Sequence, residues 1–261
     1  MSKINRIVVV TCLRYDMASF CLPALAACDE LDVCGVVLAT GGGVNRWRER
    51  KRKIKKVLRI GVLGALNGIR MRKWYNRDYR DIEDVCRECN VRLYQVPSTN
   101  GLEMADVLQK MDADLGVSLG NGYIAPRIFS IPKWGMINVH SEILPRYQNA
   151  QSIIWPIFFR DPFSGFTIHE IARKIDAGRI LYQERHPLHF FPKLADTVHW
   201  NLLKIEECVP AAIVKVCRDY KTFQDLAQDQ KDGHAYTTPS IWAFLRMLWN
   251  NQMFYRQQEG F

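Results

Sequence analysis

No apolar run in this 261-residue sequence is long enough to cross a bilayer. The longest candidate, VLRIGVLGALNGI at 57–69, is broken by an arginine, an asparagine and three glycines, whereas a spanning helix needs roughly 20 consecutive apolar residues. Low-complexity tracts and internal repeats are also missing, which argues against a solenoid or a long disordered arm. The eight cysteines are scattered, and only Cys86 and Cys89 have CxxC spacing, with no second pair to complete a zinc site. This is the pattern of reduced, buried thiols and predicts a cytoplasmic setting. The opening stretch, MSKINRIVVVTCLRYD, has a short apolar run followed by Arg14 and Asp16, which predicts a first strand rather than a signal peptide.

Acidic residues are scarce in one place. Between Arg46 and Arg80 there are fourteen Lys/Arg against two acids, a local balance of +12, while the whole chain carries +9; the remainder is therefore 9 − 12 = −3. The basicity belongs to a segment, not to the fold. Within it Val57, Leu58, Ile60, Leu63 and Leu66 recur at roughly helical spacing.

Outside that segment the chain alternates short β-branched runs with amphipathic ones. RIVVVTC, DVCGVVLAT, VRLYQVP and ADLGVSLG read as buried strands, and MASFCLPALAACDEL, YRDIEDVCRECN and GLEMADVLQKM as the helices between them, with Pro23 awkward in the first. The alternation predicts an α/β class, a doubly wound, Rossmann-like and mostly parallel sheet. A helix over AQSIIWPIFFR, strands at GFTIHEI and RILYQERHPL, and a long helix from Asp196 to Tyr220 follow. The expected division is a catalytic domain over 1–195 and a small C-terminal subdomain over 196–261.

GMINVHSEILPRY, residues 135–147, places Asn138 and His140 two apart at the end of a buried run. Residues two apart in a strand point the same way, and ligand sites in such sheets lie at the carboxyl ends of strands. The plainer reading is a turn-capping Asn and a satisfied core His. Asp176, in a loop before Ala-Gly, offers the carboxylate that a working His needs.

The ordered set Asn138-x-His140 with Leu144-Pro145, Ser164-Gly165-Phe166-Thr167-Ile168-His169 and Asp176-Ala177-Gly178-Arg179-Ile180-Leu181 resembles the N10-formyltetrahydrofolate-dependent formyltransferases. The match is specific over residues 115–182 and looser before that. The resemblance implies acyl transfer to an amine, with Asn138 donating to the developing oxyanion, His140 as base and Asp176 orienting and supporting His140. It implies N10-formyltetrahydrofolate as formyl donor, held mostly by main chain at Gly122, Tyr123, Ile124, Ala125, Ile171, Arg173 and Ile175, and no metal. His169 reads as a structural strand residue, and His186 and His189 lack a third ligand. Two departures stand beside the acceptor: Ser141 where the family often has Pro or Ala, and Asn149 where it usually has Gly.

The absence of a Gly-Ser-Asn loop after the first strand disfavours a glycinamide ribonucleotide substrate. Few residues follow 200 compared with the barrel that methionyl-tRNA formyltransferases carry. The branch implied is the one that formylates nucleotide-linked amino sugars in O-antigen and lipopolysaccharide synthesis, GDP-perosamine N-formyltransferases among them, commonly as homodimers. A barrel-less tRNA formyltransferase is the enzymatic alternative, and a dead scaffold that binds RNA or membrane is the other. Arg14, Tyr15, Arg146 and Gln148 are candidates for the sugar-nucleotide side. For 46–80 three readings compete: a solvated helix, a peripheral membrane contact, or a phosphate site in which Arg70, Arg72 and Lys73 neutralise a diphosphate while Trp74 or Tyr75 stacks on a base.

Overall fold

In the computed structural model, which describes residues 5–41, 46–76, 78–149 and 151–260 with the side chains of 46–49, 52, 53 and 56 excepted, the first five strands are parallel. They are β1 (Asn5–Thr11), β2 (Leu31–Ala39), β3 (Leu93–Val96), β4 (Leu115–Ser118) and β5 (Met136–His140). Two antiparallel strands, β6 (Phe163–Glu170) and β7 (Ile180–Pro187), complete the sheet in the order β3-β2-β1-β4-β5-β6-β7. The chain builds outward from β1 to β3 and then reverses to β4, so the topological switch point lies between β1 and β4.

Strand pleating divides the apolar residues between two faces. Ile7, Val9, Val36 and Leu38 join one core with Leu22 and Leu25 of α1 (Met17–Ala26), Val85 of α3 (Ile82–Glu88) and the inner side of α7 (Leu194–Arg218). Val8, Val10, Val37 and Ala39 face the opposite way, onto Met104 and Leu108 of α4 (Leu102–Met111) and Ile128 of α5 (Pro126–Phe129). A strand buried on both sides has no polar face to show, and so these strands read as continuous apolar runs. Pro23 lies inside α1 without ending it.

One expectation changes. The helix over AQSIIWPIFFR is only one turn, α6 (Ile154–Phe158). Ile153 takes φ 71 and gives its N–H to Glu142 Oε1 at 2.6 Å, so the preceding residues form a fixed loop instead of a helix. The division at 195/196 falls inside one apolar cluster, to which α7 and Phe244 and Met247 of α9 (Ile241–Glu259) belong together with the sheet. Asn250 of α9 also donates to the carbonyls of Ile157 and Phe158, at 2.9 and 3.0 Å.

The basic segment forms α2 (Arg46–Met71), interrupted at Gly61, whose φ of 75 and ψ of 164 are not helical. A 3-10 turn, Arg72–Tyr75, then leads back to the sheet side. The short α8 (Tyr220–Asp225) follows α7. No helix of the described residues is long and apolar enough to cross a membrane.

Candidate active site

β5 carries Asn138 and His140 to the carboxyl side of the sheet, paired in register with His169 and Thr167 of β6. A cavity of about 330 Å³ opens there, walled by the ends of β4 and β5 and by the segment 171–176. Asn138, His140, His169 and Asp176 all line it.

Asp176 reaches the site from a loop residue held at φ 53. Its Oδ2 accepts the Asn149 N–H at 2.8 Å and lies 3.7 Å from His140 Nδ1, while its Oδ1 lies 3.6 Å from His169 Nε2. The two glycines of the motif are explained by close approach. A Cβ at Gly178 would stand 1.8 Å from the Glu170 carbonyl oxygen, and one at Gly165 would stand 1.9 Å from that of Glu184. Only a residue without a side chain lets the 176–180 turn lie on β6 and β6 lie on β7.

Hydrogen bonds assign the two imidazoles different states. His140 Nε2 is 2.7 Å from the Tyr147 carbonyl oxygen, which can only accept, so Nε2 carries hydrogen. Neutral His140 therefore presents a bare Nδ1 beside the Asp176 carboxylate. His169 is the reverse. Its Nδ1 donates to the Glu170 carbonyl at 2.8 Å, leaving Nε2 to accept the Asn138 carboxamide at 3.3 Å. Burial pushes the His169 pKa down, Asp176 pulling the other way, so the ring is held neutral as an acceptor. Asn138 is thus turned by His169 and keeps a second N–H for a ligand. A base with a carboxylate beside it and an oriented amide donor are what acyl transfer to a nitrogen requires.

Gly122, Tyr123, Ile124, Ile171 and Ile175 line the cavity as expected, whereas Ala125 and Arg173 do not. Ala125 instead gives its N–H to Asn100 Oδ1 at 2.6 Å, and Arg173 is exposed while Lys174 lines the wall. None of Arg14, Tyr15, Lys73, Trp74, Tyr75, Arg146 or Gln148 lines it. Arg14 and Tyr15 are bonded to Asp81 on the outside, at 2.6 and 3.3 Å. Arg146 pairs with Asp161 at 2.8 Å. Gln148 is buried and ties the Asp176 main chain to Gln230 and to residues 234–236. Trp74 packs on Phe244, and Lys73 is exposed. Tyr75 reaches the back of the wall: its hydroxyl donates to the Ser152 carbonyl at 2.9 Å, and Ser152 is part of the lining.

Two residues without a site role in the sequence reading matter here. His169, read there as a structural strand residue, is one: the antiparallel register of β6 on β5 sets it opposite Asn138. Glu142 is the other: fully buried behind the wall, it accepts from Ile153 N at 2.6 Å and Ser164 Oγ at 3.1 Å. Burial pushes its carboxyl up to about 8 despite those donors. Asn149, the residue in the family's usual glycine position, has φ 49, a left-handed conformation that Asn tolerates better than most. Away from the cavity, Glu184 and His186 of β7 meet Cys208 of α7, their ligand atoms all within 4.8 Å of one another. The third group near His186 is thus Cys208, brought across by packing, and not His189, which lies edge-on to Phe191 and tilted against Trp200. Cys86 and Cys89 join no such group among the described residues.

A family model described as formyl transferase matches residues 70–207. The chain belongs to the formyl transferase family. Among curated relatives, the methionyl-tRNA formyltransferase of Fusobacterium nucleatum is 29% identical over 182 residues, covering 65% of this chain and 59% of that one. That of Idiomarina loihiensis is 29% identical over 155 residues, covering 59% and 48%. This formyl transferase chain therefore spans about half the length of the curated relatives it matches. Solved structures share the fold: a phosphoribosylglycinamide formyltransferase from Anaplasma phagocytophilum has TM-score 0.57 at 16% identity, covering 83% of this chain and 88% of its own. An N-formyltransferase from Helicobacter canadensis, solved with folinic acid and dTDP-3-aminofucose, has TM-score 0.52 at 15% identity, covering 89% and 70%.

Proposed function

We propose that this formyl transferase family member moves a formyl group from N10-formyltetrahydrofolate to the amine of a nucleotide-linked amino sugar. The observation that carries the transfer is the meeting of Asn138, His140, His169 and Asp176 in one cavity. The cavity suits a reduced folate. Ile124, Ile171 and Ile175 supply apolar walls, loop backbone at 120–124 supplies polar edges, and Asn121 Oδ1 is buried without a hydrogen-bond partner.

The folate supplies the activated formyl carbon. Asn138 offers its second N–H to the formyl oxygen as charge develops there. His140 accepts at Nδ1 the proton that the attacking nitrogen gives up, and Asp176 stabilises the imidazolium while it lasts. The proton then returns to the departing folate nitrogen, so no net charge is left in the cavity.

The sugar acceptor is supported by the dTDP-3-aminofucose complex of the Helicobacter canadensis protein, which aligns with 89% of this chain. GDP-perosamine, in O-antigen synthesis, is the acceptor that the NAQSIIWPIF and GFTIHEI phrases favour. A second reading, formylation of charged initiator tRNA, is supported by the 29% identity to methionyl-tRNA formyltransferases. Incubation with labelled N10-formyltetrahydrofolate and either nucleotide-linked amino sugars or methionyl-tRNA separates the two. The label is expected on the sugar amine. Label on the tRNA alone would replace the sugar by the second reading.

A further inference from the structure

α2 and α9 pack closely against each other and leave their outer sides apolar. A Cβ at Gly64 would sit 3.3 Å from the Pro239 carbonyl oxygen and from Ser240 Cα, and one at Gly68 would sit 2.5 Å from Thr238 Cγ2. Arg59 adds a hydrogen bond to Thr237 Oγ1 at 2.6 Å. α2 exposes Ile54 and Leu58 before its break at Gly61 and Val62, Leu63, Leu66 and Ile69 after it, with Leu58 80% exposed. On α9, Phe244, Met247, Asn250 and Asn251 face inward. Trp242, Leu245, Trp249 and Met253, spaced three and four apart, form one exposed stripe, with Trp242 78% exposed.

A water-facing surface does not normally carry so many large apolar side chains. Cations stand beside these side chains: among the described residues Arg50, Lys55, Arg59, Arg72 and Lys73 are exposed, in a segment, 46–80, whose sequence holds fourteen Lys/Arg against two acids. A basic helix with a leucine and isoleucine face, flanked by tryptophans, lies in a headgroup layer rather than crossing it. We propose that the outer faces of α2 and α9 bind the surface of an anionic bilayer, apolar side chains among the headgroups and cations on lipid phosphates.

Charge decides between this and other occupants. A second copy docking by two-fold symmetry would set the +12 segment against itself, which repels. A nucleic acid would satisfy the cations and leave Leu58, Leu66 and Trp242 unaccounted for. Only an anionic lipid surface answers both features. The contact would also lie near the cavity, since the 3-10 turn that ends α2 puts the Tyr75 hydroxyl on Ser152 in its wall. The proposal does not rest on formyl transfer.

Full-length protein and vesicles of phosphatidylcholine with and without phosphatidylglycerol test it. Co-sedimentation is expected with the anionic vesicles, weaker by roughly tenfold or more with neutral ones, and lost at high salt. The double substitution Leu58→Ser and Trp242→Ser, both on exposed positions, is expected to abolish it with the thermal unfolding midpoint preserved. Brominated lipid should quench tryptophan fluorescence of the unsubstituted protein, and less so after Trp242→Phe and Trp249→Phe. Equal binding to neutral vesicles, no binding to anionic ones, or a stable dimer that shields Trp242 and Trp249 would overturn the proposal.

Discussion

In the cleft, Asn138, His140, His169 and Asp176 each have a polar neighbour within the protein, and the donors and acceptors left over point into a small space. On α2 and α9 the arrangement is inverted: large apolar side chains face outward, and described cations such as Arg50 and Lys55 are exposed beside them. The cleft is over-determined. His140, His169 and Asp176 are each held by main-chain groups, so the geometry that a small polar ligand meets is already set. The exposed apolar side chains of the outer face, Leu58 and Trp242 among them, make no such polar contacts and depend on whatever covers them. One region is built to position atoms, the other to bring area and charge against a surface.

The largest effect that would sharpen this contrast is at His140, the proposed base. His140→Asn should lower turnover roughly 10²–10³-fold, while folinic acid binding measured by calorimetry changes little. Gly178→Ala should destabilise the fold by about 2 kcal/mol or more, because the Glu170 carbonyl cannot give way; a denaturant melt reads this directly. Gly122, in the same cavity wall, meets nothing within 4 Å of an added Cβ, so Gly122→Ala is the matched control and should leave stability nearly unchanged.

Glu142 gives the next effect, one of pH. Its folded pKa of about 8 exceeds the ordinary 4.5, so the folded state holds the proton more tightly. Its contribution is fully present below about 4.5 and fades as pH rises through about 8. Glu142→Gln should flatten the fall in thermal midpoint across that window, and an unchanged slope would remove Glu142 from the account. His169→Phe should reduce kcat roughly tenfold with KM for the folate donor unaltered, since it acts by turning Asn138 and not by holding folate. A matching rise in KM would make it part of the binding wall. The smallest effect is at Asn149: Ala there should cost about 1 kcal/mol and Gly almost nothing.

The parallel strands were legible as continuous apolar runs between amphipathic ones, Asn138 and His140 as polar residues two apart at the end of such a run, and Asp176 through the ordered motif that resembles the formyltransferases. What was not legible depended on register and distance. His169 counts as a core histidine until β6 is laid antiparallel on β5, opposite Asn138. Glu142 gives no signal in sequence, because its partners, Ile153 and Ser164, are set by how the loop closes. The helix over AQSIIWPIFFR shrank for the same reason: the Ile153 N–H goes to Glu142 instead of to a helical carbonyl. Arg14, Arg146 and Gln148 have the chemistry for phosphate or sugar, yet nearby acids and main chain take them up.

The most direct test pairs folinic acid binding with single-turnover formyl transfer in the unsubstituted protein and in Asp176→Asn. The account predicts that both proteins bind the folate, that only the first transfers the label, and that the loss persists at every pH at which both remain folded. Full-rate transfer by Asp176→Asn would contradict it, because the carboxylate between the two imidazoles would then be dispensable.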